Sequence, residues 1–148
     1  MNIILISNLN RKMLLGLLMI AASLLFQSCG TTKMVFANSS VVPAAEGSVK
    51  VKKDKNNNYD IDLNVMRLAD PKRLSPPAKV YVVWMETERN GTKNIGQITS
   101  KDGLFSSTLR SSLHTKTPFK PTEIFITAEE EADRQYPGSM VVLRTNSF

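Results

Sequence analysis

From Ser48 onward apolar and polar residues alternate with a period of two, the pattern of strands that bury one face and wet the other. Val49 and Val51 alternate with Ser48, Lys50 and Lys52. The cluster Lys55-Asn56-Asn57-Asn58 then turns the chain, because asparagine tolerates positive φ. Tyr59, Ile61, Leu63 and Val65 follow in alternation with Asp60, Asp62 and Asn64, so the two strands form a hairpin with lysines opposite aspartates on its outer face. Pro71, Pro76 and Pro77 exclude helix or central strand from the next connection, which suits a crossover between sheets. Val80-Tyr81-Val82-Val83-Trp84-Met85 is apolar on both faces and belongs in mid-sheet, with Val80, Val82 and Trp84 directed to the centre. Asn90-Gly91 predicts a type I′ hairpin into Lys93–Ile98, and Asp102-Gly103 repeats the device ahead of a weak, serine-rich strand, Leu104–Leu109. Thr122–Ala128 and, after the Pro137-Gly138 turn, Met140–Leu143 complete the set.

Short strands separated by turn signals about every ten residues, with no convincing 3.6-residue period, predict an all-β fold. The expected architecture over residues 48–148 is an antiparallel immunoglobulin-like, Greek-key sandwich of seven or eight strands. Its sheets are expected to meet through Val49, Ile61, Leu63, Val82, Trp84, Ile124, Ile126 and Val142.

Upstream the pattern is of another kind. Arg11 and Lys12 precede an uncharged, mainly apolar run from Met13 to Phe26, and Gln27-Ser28 lead into Cys29, the single cysteine. This is the layout of a secretory signal peptide over residues 1–28, with residues 1–10 as a prelude outside the fold. The run is shorter than the roughly 20 apolar residues that a membrane span requires. Leu25-Phe26-Gln27-Ser28-Cys29 resembles the lipobox of bacterial lipoproteins, with Phe26 and Gln27 departing from its strict form. The resemblance implies cleavage before Cys29 and attachment of diacylglycerol, with its two acyl chains, to the Cys29 thiol. Two such chains, each contributing about 0.8 kcal/mol per buried CH2, make attachment effectively permanent. An ordinary cleaved signal with a spare thiol is the alternative. Residues 29–47, rich in Thr, Ser, Ala and Asn, read as a lipid-anchored tether, in which Met34–Phe36 are an alternative first edge strand.

Cleavage there leaves residues 29–148, one domain's worth of chain. Without Arg11 and Lys12, 17 of the 19 Lys and Arg remain against 13 Asp and Glu, a net charge of 17 − 13 = +4. That mild excess, with an envelope address, argues against nucleic acid as a partner. An acylated Cys29 leaves no thiol for a disulfide or a metal, so the fold holds by packing alone. Lys50, Lys52, Lys53 and Lys55 read as a solvated strand face, with a patch for anionic lipid or glycan as the sharper alternative.

Candidate chemistry is sparse. His114, the one histidine, is assigned to a loop over Ser111–Lys116 with no nearby carboxylate and hence no dyad or metal site. Glu129-Glu130-Glu131-Ala132-Asp133 reads as a solvated loop, a calcium site being the alternative. Trp84 reads as core in preference to a ligand pocket. Asp60 with Asp62, or Glu86 with Glu88, lie two apart on a strand and are the candidate pairs for a hydrolase acting on wall material. No cofactor, metal or catalytic residue is expected, and lipidation at Cys29 is the one assigned modification.

Tyr81-Val82-Val83-Trp84, Gly96, Ile126-Thr127-Ala128-Glu129 and Pro137 followed by Val141-Val142-Leu143 resemble the extracytoplasmic C-terminal domain of anti-sigma factors of the sigma-K regulator type. Glu130 stands where that pattern has proline, and residues 1–77 contain no counterpart of the cytoplasmic sigma-binding domain and span. The resemblance therefore implies the β-sandwich, with a sensing or contact role at the envelope, and not sigma binding. The expected function is that of a non-enzymatic cell-envelope lipoprotein, membrane-anchored at Cys29 and facing the periplasm or cell exterior. Its sandwich would contact another envelope protein or polymer. An envelope enzyme and a small-ligand carrier are the alternatives.

Overall fold

In a computed structural model, residues 30–99, 101–103 and 106–147 are described. Nine strands follow one another: β1 (Thr31–Val35), β2 (Glu46–Lys53), β3 (Tyr59–Met66), β4 (Val80–Thr87), β5 (Lys93–Ile98), β6 (Lys101–Gly103), β7 (Ser106–Thr117), β8 (Pro121–Glu129) and β9 (Val141–Arg144). They form two antiparallel sheets, of order β1-β2-β3-β7-β6 and β5-β4-β8-β9. The only helical element among the described residues is a 3-10 turn at Pro71–Arg73, whose preceding Asp70 accepts a hydrogen bond from the Lys72 amide at 3.0 Å.

The layer between the sheets follows from the alternation. Val49, Val51, Ile61, Leu63 and Val65 of one sheet pack with Tyr81, Val83, Met85, Ile124, Ile126, Val142 and Leu143 of the other in one buried cluster. Burying a side chain of this kind is worth about 1.5–3 kcal/mol, the main favourable term for a domain without cross-links. Tyr81 reaches the edge of this layer and donates its hydroxyl to the Ala69 carbonyl at 3.0 Å. Burial, with Asp70 adding to it, raises the phenol pKa to about 12.

Val80, Val82 and Trp84 do not point into that layer, contrary to the sequence expectation. They lie on the other face of β4, in a second cluster with Phe125. A strand apolar on both faces does not declare which face meets the partner sheet, and here Tyr81, Val83 and Met85 take that side.

The stretch read as a tether is folded. β1 pairs with β2 along its length, from Thr31 opposite Lys52 to Val35 opposite Ser48. The chain then changes sheets: Phe36 bridges Thr145, and the Ala37 amide donates to the Arg144 carbonyl at 2.9 Å. Phe36, Val42 and Ala45 are buried in the main cluster, and the Ser39 hydroxyl accepts from the Val42 amide at 2.9 Å. Small polar residues disguised a segment whose few apolar side chains cap the end of the sandwich. Met34–Phe36, the alternative edge strand, is where β1 ends.

The turns differ in detail from their sequence signals. Asn57 takes φ 64°, and Asp54 Oδ1 accepts from the Asn56 and Asn58 amides at 2.8 and 2.9 Å. Between β4 and β5 only Gly91 has positive φ, at 66°, so the connection is not the two-residue type I′ turn. Instead Thr87 Oγ1 accepts from the Asn90 amide and donates to the Gly91 carbonyl.

Gly96 is where the sheets close most tightly at the β5 edge. Its φ is +138°, and a Cβ there would sit 3.0 Å from Leu113 Cδ1 across the sandwich. Both the backbone and the contact require glycine. Gly96→Ala is therefore expected to lower stability by about 1–3 kcal/mol in chemical denaturation. Leu113→Ala in the same chain should relieve only the steric share.

Candidate functional site

The alternation that fills the inter-sheet layer also decides what the five-stranded sheet presents to solvent. Across its outer face the strand registers align rows. The row nearest Gly30 is Thr31, Lys52, Asp60 and Lys116, and the next is Lys33, Lys50, Asp62 and His114. Beyond them come Val35, Ser48, Asn64 and Ser112, then Glu46, Met66 and Arg110. In the first two rows the carboxylates turn to β7. Lys116 Nζ lies 3.0 Å from Asp54 and 3.3 Å from Asp60, and His114 Nδ1 is 2.8 Å from Asp62 Oδ1. Hydrogen bonding to Lys116 holds the Asp54 carboxyl below its usual range, and the same bond raises the Lys116 ammonium.

The third row is different. Ser48, Asn64 and Ser112 are short, so a groove of about 430 Å³ opens between the longer side chains, lined also by Val35, Glu46, Met66 and Arg110. Val35 is 65 % and Met66 36 % exposed, two of the three large apolar side chains on the surface among the described residues. The groove offers hydroxyl and amide groups on its floor, an apolar residue at either side, and one charge of each sign, Glu46 and Arg110, at one edge. This combination can meet an extended chain with adaptable hydrogen bonds and modest apolar contact.

His114 belongs to β7 and not to a loop, and it has a carboxylate partner that linear spacing did not reveal. Asp62 is 52 residues away and reaches it through the β3–β7 pairing. The sequence reading ends this strand at Leu109 because inward positions Ser111, Thr115 and Thr117 are hydroxylic, which erases the alternation beyond it. Ser111 settles its polarity by donating to the Thr99 carbonyl at 3.0 Å, and Thr117 accepts from the Phe119 amide at 3.2 Å. The His114–Asp62 pair stands in water, with both side chains more than half exposed, and lacks the desolvated surroundings that general-base catalysis draws on.

The candidate hydrolase carboxylates each have separate partners. Asp60 is held by Lys116, Asp62 by His114, Glu86 by Thr92 Oγ1 at 2.8 Å and Glu88 by Lys120 at 3.3 Å.

The acidic run forms a clamp. Glu129, 3 % exposed, accepts from the Thr127 hydroxyl and the Gly138 amide, both at 2.6 Å, while Thr127 Oγ1 accepts from Trp84 Nε1 at 2.7 Å. Arg134 Nη1 lies 3.3 Å from the same carboxylate. Asn94 on β5 donates to the Ala132 and Arg134 carbonyls, so the 130–140 segment runs from β8 across β4 and straps down the outer face over Trp84. A Cβ at Gly138 would meet Glu129 Oε2 at 2.7 Å, which is why glycine stands there. Phe125 stacks on Trp84 at 6.5 Å and has the Arg144 guanidinium over its ring at 4.5 Å. Trp84 is thus sealed in a second small core. No group of side chains able to hold a metal ion occurs among the described residues.

At the end of the domain farthest from Gly30 a broader cleft of about 770 Å³ is lined by Arg67, Asp70, Lys72, Arg73 and Lys79 over Val42, Ala69 and Leu109. Two of its cations are engaged, Arg67 with Glu46 and the Ala44 carbonyl, and Lys79 with Glu130. Cys29 and the leader lie outside the described residues. Among the described residues no helix is long and apolar enough to cross a membrane. No family model, curated protein or solved structure matches the chain.

Glu129→Ala leaves the Gly138 amide and the Thr127 hydroxyl without their acceptor, an expected loss of about 3 kcal/mol. Trp84 emission, the single tryptophan signal, should shift to the red as the strap loosens. The Asp54–Lys116 pair has its own pH signature. The depressed aspartate contributes fully above its ordinary pKa of about 3.9 and loses that contribution as pH falls through the folded value, while the raised lysine contributes fully below about 10.4 and loses it as pH rises. In an NMR titration, Lys116→Met should return Asp54 towards the ordinary carboxyl value.

Proposed function

We propose that the chain is a non-enzymatic cell-envelope lipoprotein, acylated at Cys29 and facing the periplasm or cell exterior, whose sandwich contacts a partner protein through the groove on the five-stranded sheet. The observation that carries the reading is the contrast between the two outer faces. One is sealed by the strap over Trp84, and the other is left open with Val35 and Met66 in water around a floor of Ser48, Asn64 and Ser112. An open sheet face beside a closed one is what an interaction module requires. The separate pairing of each carboxylate supports binding over hydrolysis, and the filled inter-sheet layer supports it over ligand carriage.

The strand order also supports an immunoglobulin-like, Greek-key arrangement. β3 and β7 are neighbours in one sheet, β4 and β8 in the other, and the β3–β4 and β7–β8 connections cross between them. That is the relation of strands B, E, C and F in the immunoglobulin fold. The residues resembling the anti-sigma domain all fall on β4, β5, β8 and β9 or in the strap, so the resemblance bears on the sealed sheet and leaves the groove as this chain's own feature.

The test places a photo-cross-linking residue at Asn64 or Ser112, and a control at Ser139, in the full chain expressed with its leader in a bacterium fed labelled palmitate. The expected result is palmitate on the protein but not on Cys29→Ala, and a discrete protein adduct from the groove positions alone. Label that survives in Cys29→Ala defeats the anchor. Adducts no more frequent from Asn64 and Ser112 than from Ser139 defeat the groove.

A further inference from the structure

We infer that Lys33, Lys50, Lys52 and Lys55 form a cationic seat that holds the anchored end of the domain against the anionic surface of its own bilayer; the inference rests on the acylation of Cys29 proposed above. Lys33 and Lys50 are direct partners across the β1–β2 ladder, Lys52 lies two positions along on the same face, and Lys55 stands in the adjoining turn. Like charges directly opposite one another weaken a strand pair, so the arrangement does nothing for the fold.

The aspartates that β3 places beside these lysines are committed on their far side. Asp62, opposite Lys50, is bonded to His114, and Asp60, opposite Lys52, is bonded to Lys116. None of the ion pairs among the described residues includes Lys33, Lys50, Lys52 or Lys55, and all four are exposed. At this end Lys116 is held by two aspartates, Lys120 by Glu88, and Lys53 lies over the Tyr59 ring, while Arg89 in the β4–β5 turn belongs to the other sheet. On the five-stranded sheet at this end the unneutralised charge is therefore gathered along β1, β2 and the turn that follows.

The short approach from Cys29 places that charge. Gly30 alone separates Cys29 from β1. Two residues span at most about 7 Å, and the partner strand lies about 5 Å further. Thr31 and its partner Lys52 are thus held close to any membrane that contains the acyl chains, within reach of a surface potential that decays over roughly 8 Å at physiological salt. Lys33 and Lys50 are one row higher, about 7 Å along the strand. Ser48, at the groove, is four residues from Lys52, about 13 Å, so seating the lysines leaves the groove clear of the headgroups.

The experiment uses the acylated full-length product purified from membranes and reconstituted into vesicles of phosphatidylcholine alone or mixed with phosphatidylglycerol. Flotation with the neutral vesicles reads the anchor. Amine-reactive labelling, read residue by residue by mass spectrometry, reads the seat. Lys33, Lys50, Lys52 and Lys55 should label at least about threefold more slowly on the anionic vesicles, with the difference gone in 1 M salt, where screening shortens to about 3 Å. Lys72, at the opposite end, should label equally on both. A protein that does not float with neutral vesicles has no anchor, and the seat falls with it. A protein that floats with both but labels equally at the four lysines keeps its anchor and overturns the seat. Protection that arises only when heparin is added assigns the lysines to a soluble polyanion and overturns it too.

Discussion

The layer between the two sheets is the constraint from which the other surfaces follow. Ile61, Leu63 and Val65 on one side and Val83, Met85, Ile124 and Ile126 on the other fix which face of each strand is inward. Because side chains alternate, the same choice fixes every outward residue, and a slip of one position would invert the molecule. The lysine rows, the groove and the second cluster around Trp84 are therefore not independent features. They are the reverse side of one packing decision.

The reverse sides of the two sheets have opposite fates. β4 and β8 carry apolar residues on both faces, so Val82, Trp84 and Phe125 need a cover, and the segment after β8 provides it. That cover is polar chain, and it stays down because Glu129 is buried with all its bonds made: to Thr127, to the Gly138 amide and to Arg134. Among the described residues no buried side-chain nitrogen or oxygen lacks a partner. A buried carboxylate so satisfied specifies one loop path. Among the described residues the five-stranded sheet has no such cover, and apart from Val35 and Met66 its outward residues are charged or small and polar and meet water without penalty.

The sequence was legible where chemistry and periodicity agreed. Ile61, Leu63 and Val65 declare their strand, and two packed antiparallel sheets follow from such strands. It was illegible where one face of a strand was hydroxylic, as at Ser111, Thr115 and Thr117, and where both faces were apolar, as from Val80 to Met85. Of Thr31–Val35 only Met34 and Val35 fell within an alternative edge strand, because a strand five residues long with one exposed valine carries no alternation to detect. Partnerships were harder still. Asp62 with His114, and Thr127 with Trp84, are joined by strand pairing across 52 and 43 residues. The aspartates looked like the complement of the neighbouring lysines, and their side chains went instead to β7. That diversion leaves Lys33, Lys50 and Lys52 uncompensated beside the start of β1.

We propose that a covalent lipid meets the protein two residues before its first strand, so that the sandwich stands on the bilayer with its groove on the same sheet face as the lysines but clear of the headgroups. The intact mass of the mature protein extracted from envelopes tests this most directly. A chain starting at Cys29 and carrying the mass of the diacylglyceryl group is the predicted result. A free thiol at Cys29, or a leader still attached, contradicts it.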